Sequence, residues 1–139
     1  MKLTSLEWEE KYSVGFKLID EQHKRLFALY NRIVKIKQDG QLDSQKNQEA
    51  LELVVKELSD YVHVHFLTEE EVMKIYGFDD FEAHKKLHDQ FADSVQEICG
   101  DFTKGQLILM DTVIKKIHNW LVHHVTIEDQ KYKSFIGKP

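Results

Sequence analysis

His23, His65 with Glu69, His84 with His88, and His124 with Asp129 are the side chains in this sequence best suited to chemistry. Imidazole nitrogens and carboxylate oxygens bind metals, and a carboxylate can bridge two ions. The 139-residue chain carries eight His but a single Cys. A donor set rich in imidazole, poor in thiolate and supplied with carboxylates suits iron better than a structural zinc site. Such zinc sites usually close with four ligands and often use Cys. The seven residues are too many for one ion and sufficient for two, and iron in such surroundings points to dioxygen chemistry.

Spacing supports part of this grouping. Residues four apart on a helix differ by about 40° and share a face. His65 with Glu69 and His84 with His88 meet that condition. His124 and Asp129 are five apart, about 140° on an ideal helix, so regular geometry favours Glu128 instead. A local π-bulge brings the i+5 residue back to the same side, and such bulges occur at functional sites. Spacing leaves Glu128 and Asp129 both open. A ferritin-like site needs Glu-x-x-His on two helices, and the chain has none. Asp20 with His23 and Asp60 with His63 share the spacing, but Asp is shorter. The zinc-protease motif His-Glu-x-x-His is absent too.

Four amphipathic helices must position these groups. Their expected ranges are 18–38, 43–76, 79–99 and 104–132, after an N-terminal arm over 1–17. The stripes run Ile19, His23, Leu26, Tyr30, Ile33; then Leu51, Val54, Leu58, Tyr61, His65, Val72, Tyr76; then Phe81, His84, His88, Phe91, Val95, Ile98; then Leu107, Met110, Ile114, Ile117, Leu121, His124. Steps of three and four alternate, as in a left-handed bundle seam. Asp39-Gly40, Gly77 and Gly100 read as helix stops. Asp79 with Glu82 and Thr103 with Gln106 have capping-box spacing. The sole Pro is terminal. The expected fold is all-α: one domain over 1–139, an up-down-up-down antiparallel four-helix bundle. Core imidazoles are costly unless both nitrogens are satisfied, and a bundle core is where facing helices build metal sites.

Composition excludes several classes. Net charge is -5, and Lys and Arg are scattered among acids, so no nucleic-acid footprint exists. No window of about 18 apolar residues offers a membrane span, and the first residues lack the apolar stretch of a secretory signal. A lone Cys99 forms no internal disulfide, which fits a reducing compartment and a cytoplasmic location. His63, His118 and His123 fall off the stripes and are expected at the surface, as are Glu70 and Glu71. Cys99, Met73 and Met110 are expected to pack.

The segments QHKRLF (22–27), HFLTEEEVM (65–73), HKKLH (84–88) and WLVHHVTIEDQKY (120–132) closely resemble the hemerythrins. The resemblance is strongest to the single-domain bacterial members, the bacteriohemerythrins, and Trp8 and YSVGFKLIDEQH (12–23) extend it over nearly the whole chain. It implies roles residue by residue. His84, His88 and His124 would bind one iron, and His23 and His65 the other. Glu69 and Asp129 would bridge both, with an oxo or hydroxo group as third bridge, so the resemblance prefers Asp129 to Glu128. Six-coordination at the three-histidine iron then leaves an open position at its neighbour, where dioxygen can bind.

The function implied is reversible dioxygen binding for storage, transport or delivery, without catalysis. Two alternatives are an oxygen or redox sensing module and a di-iron enzyme that reduces peroxide or nitric oxide. Leu26, Phe27, Phe66, Phe91, Trp120, Leu121 and Val125 adjoin ligands in sequence and are candidates for an apolar ligand pocket that excludes water. Tyr132 is a candidate neighbour of the ligands. Dioxygen is the expected partner, and the sequence names no protein partner.

Overall fold

The apolar stripes become four helices in the computed structural model: α1 Lys17–Asp39, α2 Gln45–Ile75, α3 Phe81–Thr103 and α4 Met110–His123. The structure describes residues 5–39, 45–103 and 110–136. The expected helix starts at 43 and 104, and Gly40, Gln106 and Leu107, lie outside the described residues. The side chain of Met110 does too.

Helix α1 packs against α2 and α4, and α2 against α3. The larger apolar cluster includes Leu26, Leu58, Val62, Phe66, Phe91, Ile117, Leu121 and Val125; a smaller one holds Val14, Ile19, Val72, Met73, Phe78 and Tyr132. Along α1 the chain meets the small cluster at Ile19, then His23, then the large cluster at Leu26. Along α2 the order reverses, from Val62 through His65 and Glu69 to Val72. It reverses again through α3, and again between Leu121 and Tyr132. Alternating order is the mark of up-down-up-down topology, and the fold is an antiparallel four-helix bundle with an N-terminal arm. The polar residues form one layer between two apolar ones.

Helix ends explain the turns near that layer. Gly77 has φ +71, a left-handed conformation. Its N–H donates to the Lys74 carbonyl at 3.2 Å, and the Phe78 N–H donates to the Met73 carbonyl at 2.9 Å. This is a Schellman stop, with Phe78 and Met73 in mutual apolar company. Helix α3 begins at Phe81, one residue later than an Asp79 cap implies, so Asp79 and Glu82 are out of capping register. At its other end α3 continues through Gly100 to Thr103 rather than stopping at 99.

The arm is tied down by side chains. Asn31 exchanges two hydrogen bonds with the backbone of Leu6, both 2.8 Å. Asp20 accepts from the Ser13 hydroxyl at 2.5 Å and from the Val14 N–H at 2.9 Å. The arm thereby holds Trp8 over α1, its ring 6.0 Å from that of Phe27 and 6.5 Å from that of His23.

Candidate metal centre

Each helix brings its donors to the layer by the three-and-four spacing, with one exception. Helix α1 supplies His23, α2 His65 and Glu69, and α3 His84 and His88. After α4 the chain widens into a π-helical turn, His124–Glu128, followed by a 3-10 turn at Asp129–Lys131. The Asp129 N–H bonds the His124 carbonyl, five residues back. Side chains then serve neighbouring carbonyls: Thr126 Oγ1 donates to Val122 O at 2.6 Å, and Gln130 Nε2 to Val125 O at 3.1 Å. The wider turn carries Asp129 to the side of His124. Glu128 faces away, 3.0 Å from Lys131 Nζ and 3.4 Å from His123.

All seven side chains converge, and none of them is more than 2% exposed. Glu69 Oε1 lies 2.9 Å from His84 Nε2, 3.0 Å from His88 Nε2 and 3.2 Å from His124 Nε2. Its other oxygen lies 3.0 Å from His65 Nε2 and 3.3 Å from His23 Nε2. Asp129 repeats the division. Its Oδ1 is 2.9 Å from both His84 and His124 Nε2, and its Oδ2 is 2.8 Å from His23 Nε2. Two overlapping donor groups result. One joins Glu69, His84, His88, His124 and Asp129; the other joins His23, His65, Glu69 and Asp129.

Hydrogen bonding alone does not satisfy this layer. Both Asp129 oxygens and His65 Nε2 are buried without an aligned partner, despite the short distances. Lone pairs turned on a common centre are what shared cations require, and buried polar groups left otherwise unpaired are costly. The donors fit a metal pair on these grounds.

Without metal, protons must balance the charge. Burial opposes charge at His23 and His84, but the adjoining Asp129 and Glu69 carboxylates prevail and hold both up at about 9. At His65 burial wins and the value falls to about 4. Burial also resists ionisation of Glu69 and Asp129, yet the surrounding imidazoles hold both below the usual carboxylate range. Burial, then the Asp129 and Glu69 charges, push the Tyr132 hydroxyl well up.

Apolar residues close the layer. The Phe66 ring stacks on His88 at 3.8 Å, Trp120 on His124 at 4.3 Å, and Phe91 on Trp120 at 3.8 Å. Leu26, Phe27, Leu121 and Val125 are buried in the same cluster, and Trp120 is half-buried. On the other side a cavity of about 410 Å³ reaches His84 past Phe78, Leu87 and Lys131. His63 and His123 are exposed and His118 is half-buried, all outside the donor groups.

Two contributors escape a reading of the stripes. Glu70, expected as solvated surface, is half-buried and its Oε2 accepts from His88 Nδ1 at 2.9 Å. Gln22 Oε1 accepts from His65 Nδ1 at 2.8 Å, and Gln22 Nε2 donates to Thr68 Oγ1 at 3.2 Å. Adjacency to Glu69 and His23 was the available signal, but the partners lie on other helices.

Residues 14–136 match the family model described as the hemerythrin HHE cation binding domain. The chain belongs to the hemerythrin family. A hemerythrin-like protein of Naegleria gruberi is 36% identical over 129 residues, covering 93% of this chain and 92% of that protein. The myohemerythrin of Theromyzon tessulatum is 32% identical, covering 91% and 90%. A bacteriohemerythrin of Pseudomonas aeruginosa is 31% identical, covering 94% and 80%. A crystal structure of wild-type hemerythrin superposes with a TM-score of 0.84 at 26% identity, covering 97% of this chain and 100% of that one. At the family level this hemerythrin is a non-haem iron, oxygen-binding protein.

Proposed function

We propose that this hemerythrin binds dioxygen reversibly at two iron ions and acts as a carrier or store rather than a catalyst. His84, His88 and His124 would hold one ion, His23 and His65 the other, and Glu69 and Asp129 would bridge them beside an oxo or hydroxo group. One observation carries this assignment: each bridging candidate turns one oxygen to the three-histidine side and the other to the two-histidine side. The same arrangement favours Asp129 over Glu128.

The iron pair would supply the two electrons that reversible oxygen binding requires, and a coordination position left open by the smaller histidine set. The protein's own residues supply exclusion. Phe66 and Trp120, stacked on two imidazoles, would keep water and stray protons from the His88 and His124 side of the centre. A carrier needs no spare acid or base, and the nearby carboxylate outside the ligand set, Glu70, is engaged with His88. Burial and the Asp129 and Glu69 charges push the Tyr132 hydroxyl well up, so it offers no base.

The test is an anaerobic-to-aerobic optical titration of iron-loaded protein. A visible charge-transfer band that rises with oxygen and falls on its removal supports a carrier. Oxygen consumption without a recoverable band refutes it, and one zinc with no iron after iron-replete expression removes the di-iron reading altogether.

A further inference from the structure

The two metal positions are supported from behind by unlike groups. On the three-histidine side, the carboxylate of Glu70 accepts the Nδ1 hydrogen of His88 at 2.9 Å. On the two-histidine side, the corresponding acceptor is the neutral amide of Gln22, 2.8 Å from His65 Nδ1. When Nε2 binds a metal, Nδ1 carries the proton, so both contacts have the same sense: the ring donates and the oxygen accepts. They differ by one full charge.

Burial makes that difference felt. His88 is fully buried and the Glu70 side chain is only 12% exposed, so solvent screens the pair weakly. The Phe66 ring lies parallel to His88 at 3.8 Å and limits rotation away from Glu70. Gln22 is fixed through Thr68, whose hydroxyl in turn donates to the Val64 carbonyl at 2.9 Å. Each support thus has a neighbour that favours its orientation: Phe66 beside His88, and Thr68 beside Gln22.

We propose that Glu70 is a charged positioning residue for His88, and that its contrast with the neutral Gln22–His65 pair makes the two metal positions electronically unequal. A carboxylate drawing on the Nδ1 hydrogen makes the imidazole a stronger donor and favours the more highly charged metal. The three-histidine position is thereby biased towards the oxidised ion. Gln22 gives the neighbouring position orientation without that bias. This inference rests on the di-iron reading above.

Glu70→Gln keeps an acceptor oxygen and removes the charge; Gln22→Glu adds a charge on the opposite side. Iron content, thermal stability and one-electron midpoint potentials are measured for both variants and the wild type. In Glu70→Gln the oxidised-to-reduced ratio at fixed potential should fall about tenfold, an upward shift of about 59 mV for one electron. Gln22→Glu should move the potential in the opposite direction. Zinc affinity of the metal-free protein gives a readout independent of iron chemistry, and Glu70→Gln should lower it about tenfold or more. A purely structural role would change stability without these opposed shifts. If wild type holds no iron pair, the di-iron reading fails. If the variants hold two irons and their potentials match wild type within a twofold ratio, this inference fails and the reading stands. Should Glu70→Gln not fold, an unmoved potential in Gln22→Glu overturns the inference.

Discussion

The choice between two adjacent carboxylates gives the sharpest test. Asp129 places its oxygens 2.8–2.9 Å from His23, His84 and His124, with all four groups buried. Asp129→Ala removes the oxygens that face three imidazoles, leaving each with Glu69 as its remaining carboxylate neighbour, and takes an oxygen donor from each proposed metal position. Loss of a buried partner costs about 1–3 kcal/mol, a sizeable share of the roughly 5–15 kcal/mol that holds a domain folded. Asp129→Asn keeps the shape and isolates the charge. Glu128 instead pairs with Lys131 and His123 outside the layer. A helix-surface pair contributes about 0.2–0.5 kcal/mol, so Glu128→Ala should cost less than about 1 kcal/mol, a few degrees in Tm. Metal analysis and calorimetry on the three variants read both effects. Two irons retained in Asp129→Asn and lost in Glu128→Ala would show that the π-turn misplaces the ligand and the regular helix is right.

Metal removal should lower Tm clearly at neutral pH, because the donors sit in the core on three helices and on the turns that follow the fourth; equal Tm values for loaded and metal-free protein would refute this. Loading the metal-free chain with zinc at pH 7.5 should release roughly two protons or more, since the neighbouring carboxylates hold His23 and His84 up at about 9 despite burial and raise His88 and His124 as well; a pH-stat reading of none would refute it. Those two values lie above the unfolded 6.5, so their contribution to the metal-free fold is complete below 6.5 and lost as pH rises through about 9. The Tm gap between loaded and metal-free protein should widen over that interval, and close at low pH where protons outcompete metal. Gly77→Ala meets open space but keeps φ +71, so it should cost about 1–2 kcal/mol from strain alone and leave iron content unchanged, as calorimetry and metal analysis would show.

What could be read from the chain was whatever a single helix determines. The three-and-four spacing of Ile19, His23 and Leu26, or of His84, His88 and Phe91, specifies one face, and the layered core follows from such faces meeting. What was hidden depends on a second element. Glu70 looks like one more acid in an exposed run, and its partner His88 is known only once α2 and α3 are in register. Gln22 reaches across to His65 in the same way. The π-turn was nameable as a means of bringing Asp129 round, but the regular alternative was equally open in the sequence. Gly100 shows local preference losing to packing: glycine costs about 1 kcal/mol in a helix, yet α3 passes through it, with neighbouring Ile98 and Cys99 packed on the core.

The position of the donor layer has a consequence for folding as well as for binding. The two apolar clusters pack the bundle on either side of the donors, but apolar contacts tolerate repacking better than coordination does. Each helix crosses the boundary between clusters at a donor, and neighbouring donors share single carboxylate oxygens within about 3.3 Å. A slip of one residue in any helix turns its donor by about 100° and removes it from the group. It also leaves the remaining donors buried and unpaired. The wrong registers are thus penalised by the same side chains that reward the right one, once a cation is present. With a cation bound, the residues most costly to bury would also favour the one bundle register in which they meet.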